Sequence, residues 1–198
     1  MTTFTQSQLG AGQQSIARFH AAIVNADRGE SIRERLRYLE LLAEICGQAL
    51  IGSEPGKSPR IEQYETAIAA KDGDEPVWGL RGRFVVVIEG VPVLVNSSGL
   101  GSTWSAFTFQ FHAISTKVPF LAPLGYRSHH GSQQFAKTTR EAAIDVLQSL
   151  AKTELKPMIV LPERTQLHIE TLAKLPFVQG ALAGLTDPTA PMLQQNLF

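Results

Sequence analysis

Apolar residues recur at Ile16, Phe19, Ile23 and Val24, a spacing that places them on one helical face. Asp27-Arg28-Gly29 interrupts that pattern. Ser31 followed by Glu34 has the form of a capping box, S-x-x-E, so a second helix is predicted to start there. Its apolar stripe runs through Ile32, Leu36, Leu39, Ala43, Cys46 and Leu50, and Gly52 is the expected C-terminal glycine. Arg33, Arg35 and Arg37 fall between the stripe positions and read as its solvated face, with a nucleic-acid contact as the weaker alternative beside Glu34 and Glu40. Ser53 to Pro59 reads as a turn-rich linker. A short helix over 60–70 follows, with Ile61, Tyr64 and Ile68 inward, and 71–76 breaks it.

The period then changes to that of strands. Arg83 to Glu89 is an unbroken run of β-branched and apolar residues, the pattern of a strand buried on both faces. Gly90-Val91 turns it toward a second strand, Pro92 to Asn96. Ser97 to Ser102 is a glycine-serine loop. Beyond it Phe107, Phe109, Phe111 and Ala113 alternate with Thr108, Gln110, His112 and Ile114, a period-two strand with one aromatic face. A further β segment is expected over Pro119 to Leu124.

The last third returns to α/β. Thr138 and Glu141 form a second capping box, with Ile144, Leu147, Leu150 and Ala151 as its buried stripe. Met158 to Leu161 is expected as a short strand. Pro162 suits the first turn of a helix carrying Leu167, Ile169, Leu172 and Leu175, which stops at Pro176. The fold class is therefore α+β: a mixed sheet around Phe84 to Leu124 with helices packed on it and helices in front. The expected division is an N-terminal helical region over 1–76, an α+β core over 77–185, and a tail over 186–198.

Composition narrows the function classes. The 198 residues carry 18 Lys+Arg and 18 Asp+Glu, so no whole-chain basic field attracts nucleic acid. One cysteine excludes an internal disulfide and a Cys-based zinc module, and suits a reducing cytoplasm. No apolar run approaches the about 20 residues that cross a bilayer. The N-terminus lacks the apolar core of a signal peptide.

Several segments carry candidate chemistry. Gly52 to Ser58 looks like a phosphate loop, but its leading glycine is one residue too close and the preceding element is a helix, so an inter-helix turn is the better reading. Gly125-Tyr126-Arg127-Ser128-His129-His130-Gly131 sits between an expected strand and a capped helix. A helix N-terminus there favours an anion, Arg127 offers a bidentate clamp, and His129 or His130 titrates near neutral pH. The alternative is a surface turn. Glu89, ending the apolar strand, is either a general base or a solvated hairpin residue. The loop with Ser98 and Gly99 has amides and hydroxyls able to approach a phosphate, and is equally an ordinary connection. His112 reads as a structural residue on a sheet face. His20 and His168 lie on helical segments without assigned chemistry, and Cys46 is a small buried apolar residue.

The succession of strand, Gly125-Tyr126-Arg127 and helix resembles the ParB/sulfiredoxin superfamily, whose Gly-x-Arg type turns hold phosphates. Over Arg81 to Ala151 the chain is also similar to plasmid fertility-inhibition factors of the Osa/FiwA type. It departs from the pattern in two places. No cysteine adjoins the turn, which removes sulfinic acid repair, and Ser128 stands where a second arginine is common. The resemblance implies an inhibitor of conjugative or T-DNA transfer through a type IV secretion system. It implies nuclease or ATPase activity, with ATP and a divalent cation such as Mg²⁺ as cofactors. DNA or a nucleotide, and type IV secretion or relaxosome proteins, are the implied partners. The expected location is cytoplasmic, and the resemblance leaves open recruitment to the inner face of the membrane by a partner.

Two functions follow. In the first, Arg127 holds a phosphate, His129 or His130 transfers a proton, and Glu89 activates water, with Gly125, Tyr126, Ser128, Arg83, Ser98 and Gly99 lining the phosphate site and no protein-held metal assigned. In the second, the same fold blocks a transfer protein sterically, with the N-terminal helices as contact element.

Overall fold

Thr5 starts the first helix. Its hydroxyl accepts from the Gln8 amide at 3.2 Å, and Gln8 Oε1 accepts from the Thr5 amide at 2.9 Å, a complete capping box. The structure, a computed structural model, describes residues 4–47, 58–101, 107–118, 120–154 and 163–186. Among these, α1 spans Gln6–Val24, α2 Arg28–Cys46 and α3 Pro59–Ala67. Strands β1 (Gly82–Ile88), β2 (Val91–Ser97), β3 (Phe107–Ala113) and β4 (Tyr126–Gly131) follow, then helices α4 (Thr139–Glu154), α5 (Glu163–Ala173) and α6 (Pro176–Thr186).

The second helix starts earlier than its sequence suggests. Asp27 is the N-cap, accepting from the Glu30 amide at 2.9 Å. Ser31 lies inside the helix, its hydroxyl donating to the Arg28 carbonyl. The expected stripe is also displaced. Tyr38, Leu42 and Ile45 are buried, whereas Ile32 is 60% and Leu36 54% exposed. The buried face begins with polar residues, because Glu34 is completely buried between the antiparallel α1 and α2, paired with Arg18 at 3.0 Å and with Arg37. Burial by itself would raise the Glu34 pKa; the bond and charge of Arg18, then those of Arg37, outweigh it and hold the carboxyl below its ordinary value. The C-cap is Gly47, in the left-handed region at φ 66°, not Gly52. The phosphate-loop-like segment to Lys57, the Met158–Leu161 segment, Pro162, the side chain of Cys46 and the tail after Thr186 lie outside the described residues.

The sheet is an antiparallel meander in the order β1-β2-β3-β4, not a mixed sheet. Glu89-Gly90 joins β1 to β2 with φ 50° and 79°, the positive pair that a tight hairpin turn requires. One face carries Phe84, Val86, Val93, Val95, Phe107, Phe109 and Phe111 into the core, where Ile16 and Phe19 of α1, Tyr38 and Leu42 of α2 and Leu147 of α4 join them. Residues of 1–76 and 77–185 thus share one core. Trp78 packs at 4.7 Å on Phe107, with its indole N–H on the Lys137 carbonyl at 2.7 Å.

β1 is core-facing on one side and half-buried on the other. Its unbroken apolar run has a different cause from burial in a parallel sheet. On the second face Val85 and Leu94 meet Val178 and Phe177 of α6. Of the β segment expected over Pro119 to Leu124, Pro119 lies outside the described residues, Phe120 forms an isolated bridge, and 121–124 are bends and turns, with Phe120 and Leu121 buried in the core. Helices α5 and α6 cover only one end of the second sheet face. Among the described residues no helix covers the end near Gly82, Ser97 and Thr108.

Candidate functional site

Gly125 to Gly131, expected as a loop before a helix, is the edge strand β4. It pairs with β3 so that Arg127 stands opposite Phe111, His129 opposite Phe109 and His130 opposite Thr108. Cross-strand partners share a face and successive residues alternate. Arg127 and His129 therefore lie on the aromatic face, and Tyr126, Ser128 and His130 on the other. Gly125 precedes the strand at φ 64°, and a Cβ there would come within 2.8 Å of Ile169, so it serves backbone geometry.

The helix mouth is not open to a phosphate either. Helix α4 begins at Thr139, after seven intervening residues. Thr138 Oγ1 accepts from the Glu141 amide and Glu141 Oε2 from the Thr138 amide, so the predicted capping box forms. Glu75 accepts from both the Arg140 amide, at 3.0 Å, and the Arg140 guanidinium. The protein's own carboxylates take the place of the expected anion.

The glycine-serine loop behaves the same way. Glu65 of α3 is buried and accepts from the Gly101 amide at 2.6 Å. A Cβ on Gly99 would come within 2.3 Å of its Oε1. Gly99 thus lies against a carboxylate and not at a phosphate subsite. Glu89 is an exposed hairpin residue. It stands six residues from Arg83 along β1, about 20 Å at the rise of a strand.

That end of the second sheet face holds a cleft of about 680 Å³. Arg83, Asn96, Ser98, Thr108, Gln110 and His130 line its floor, and Asp72, Arg81, Glu62 and Thr66 its wall. The register sets Arg83, Asn96, Gln110 and Ser128 in one row across all four strands. Of the residues expected from sequence, the cleft gathers Arg83, Ser98 and His130. Arg127, His129, Glu89 and Gly99 lie elsewhere. Asn96, Gln110 and Asp72 are the residues that sequence reasoning missed; the polar alternation of β3 signalled Gln110, while Asn96 and Asp72 carried no local signal.

The cleft's charges are already matched. Arg83 Nε donates to Asp72 Oδ1 at 2.8 Å, and its Nη2 meets the other carboxylate oxygen. The hydrogen bond with Asp72, against a smaller effect of burial, holds the guanidinium above its usual pKa. Arg81 lies 3.7 Å from Glu62. Thr108 Oγ1 and His130 Nδ1 are 3.0 Å apart. Asn96 Nδ2 lies 3.1 Å from His112 Nε2. Burial, then the charge of His168, pushes the His112 pKa down to about 4, so the ring is neutral and accepts this bond. Among the described residues Asn96 Oδ1 and His112 Nδ1 are buried without a hydrogen-bond partner. On the opposite face, burial first, then His130 and Arg127, holds His129 below its usual value. His20 accepts from the Trp78 amide at 3.1 Å and is structural.

Among the described residues no group of three His, Cys, Asp or Glu side chains is placed to hold a metal ion. The cleft's two carboxylates already face arginines, so the residues present do not fit a divalent cation.

Comparison with known proteins gives a relative. The chain is similar to protein KlcB of Escherichia coli. Two curated proteins of that name are each 29% identical to it, one over 181 residues and one over 182. The matched region is 91% of this chain but 44% and 38% of the KlcB chains, so the chain spans less than half the length of the curated relatives it matches. No family model matches, and no solved structure matches. Among the described residues no helix is long and apolar enough to cross a membrane.

Proposed function

We propose that this chain is a plasmid-encoded binding module that inhibits conjugative transfer by occupying a protein of the transfer machinery, without hydrolysing a phosphate ester. The role in transfer is what the resemblance over Arg81 to Ala151 implies. The mode rests on one observation: β4 alternation sends Arg127 and His129 to one sheet face and His130 to the other, while Glu89 sits in a hairpin turn at the far end of β1. A general base, a proton donor and a charge clamp must reach one reacting atom, within about 3 Å each. These four do not.

The experiment pairs two readouts. Expression of the chain in donor cells lowers transfer frequency, and the double variant Arg127→Ala, Glu89→Ala lowers it equally. Purified protein leaves ATP and plasmid DNA intact with Mg²⁺ or Mn²⁺. Hydrolysis that disappears in Arg127→Ala would restore the catalytic reading, and unchanged transfer frequency would remove the role itself.

A second reading concerns the cleft. Arg83, Ser98 and His130 converge there, which favours a phosphate-bearing small ligand such as a nucleotide, bound without turnover. Titration with a fluorescent ATP analogue tests it, with Arg81→Ala and Arg83→Ala as the variants that lose the ligand.

A further inference from the structure

Helix α2 carries two apolar stripes. One, Tyr38, Leu42 and Ile45, is buried in the core. The other runs through Ile32, Leu36, Leu39 and Ala43, at steps of four, three and four residues. That alternation is the seam of a coiled coil, whose apolar positions recur about every 3.5 residues. Ile32 is 60% and Leu36 54% exposed, while Leu39 and Ala43 are half-buried at the rim of the core. Among the described residues no element covers Ile32 and Leu36, two large aliphatic side chains one turn apart.

The residues beside this seam specify what fits it. Arg33 and Glu40 each follow a seam residue, Ile32 and Leu39, so they stand on one flank two turns apart, with Glu44 a further turn along. Glu40 and Glu44 are exposed, and among the described residues neither carboxylate has an ion-pair partner. Arg33 has one: its Nε donates to Glu30 at 2.7 Å, an exposed contact within one turn that exchanges at little cost. The flank therefore runs from basic to acidic along the helix. Turned end for end it runs from acidic to basic, so the face is complementary to itself.

We infer that the Ile32–Leu36–Leu39–Ala43 face of α2 is a homodimer interface, on which two copies of this chain pack α2 against α2, antiparallel, about a twofold axis between Leu36 and Leu39. Leu36 then meets Leu39 of the second copy, and Ile32 meets its Ala43. The same operation brings Arg33 beside Glu40 of the second copy, and Glu40 beside its Arg33, as a twofold contact requires. The seam supplies the burial and the flank fixes the direction. A parallel pairing instead sets Arg33 against Arg28 of the second copy, two like charges. The inference is independent of the role in transfer and of the cleft.

Sedimentation equilibrium of the full chain, from about 1 μM to about 300 μM, measures the association. The expected result is a reversible dimer with a dissociation constant on the order of 10 μM, weak because the seam is short. Leu36→Glu should weaken it at least about tenfold while the far-UV circular dichroism of the monomer stays that of wild type. Arg33→Glu and Glu40→Arg, both exposed substitutions, should each weaken it about three- to tenfold, and the two combined in one chain should restore it to within about threefold of wild type. A chain that is monomeric at every concentration overturns the inference, whether that face then belongs to a different protein or to the chain's own segment 187–198. A dimer indifferent to Leu36→Glu overturns it as well, and so does a double variant that associates no better than the single ones.

Discussion

Glu65 and Gly101 meet across 36 positions of sequence: the carboxylate accepts the glycine amide at 2.6 Å inside the protein. A loop rich in glycine and serine, suited by composition to cradle an external anion, closes instead on an internal one. Gly99 makes that approach possible, since any Cβ would collide with the carboxylate. Gly99→Ala should therefore destabilise the protein by about 1–3 kcal/mol through overpacking. Urea denaturation checks this, and a midpoint unchanged from wild type would show that the loop does not need the close approach.

Helix α1 offers a matched pair of glycines. Gly10 has nothing within 4 Å of its added Cβ, so Gly10→Ala should stabilise by up to about 1 kcal/mol from helix propensity alone. Gly12 faces Tyr64, whose hydroxyl donates to the Gln8 carbonyl, and its Cβ would lie 2.1 Å from the Tyr64 oxygen. Gly12→Ala should lose stability by about 1–3 kcal/mol despite the same intrinsic gain. Thermal melts of the two variants should move in opposite directions.

His112 gives a pH signature. Its pKa falls from 6.5 unfolded to about 4 folded, mainly through burial. Between these values the unfolded chain binds a proton that the folded one does not. The contribution of His112 is therefore fully favourable above pH 6.5, is lost as pH falls toward 4, and is constant below. His112→Gln should flatten that part of the stability profile. The direct measurement is the imidazole titration by NMR, where a midpoint near 6.5 would contradict the buried setting.

The Arg83–Asp72 pair closes the cleft's charge balance in a partly exposed place, each side chain about two-fifths accessible. Exposed pairs contribute no more than about 1 kcal/mol, so Asp72→Asn should fold normally. It releases Arg83 toward a ligand. Binding of the fluorescent ATP analogue should strengthen about three- to tenfold in Asp72→Asn and weaken in Arg83→Ala. Identical affinities in all three proteins would separate the cleft from phosphate recognition.

The elements themselves were largely readable. The short helix at Pro59, the hairpin β1–β2, the aromatic alternation of β3 and the Thr138–Glu141 cap all follow from patterns within a few residues. The errors share a cause. β4 reads as a polar loop because Arg127, Ser128, His129 and His130 carry no apolar alternation, yet pairing with β3 makes it a strand. Ile32 and Leu36 read as core, while Ser31 and Glu34 face inward because Arg18 arrives from α1 to neutralise a buried carboxylate.

Alone, the chain's order of residues determined that helices open and close the described fold and that β1, β2 and β3 lie between them, since caps and periodicity act through neighbours along the backbone. It also determined the even charge balance. Only the tertiary structure decided which residues share a face, that Arg83, Ser98 and His130 meet in one cleft, and that Arg127 and Glu89 never do. A side chain's burial, ionisation and reach depend on groups brought from far along the chain, and those distances are set by packing and register.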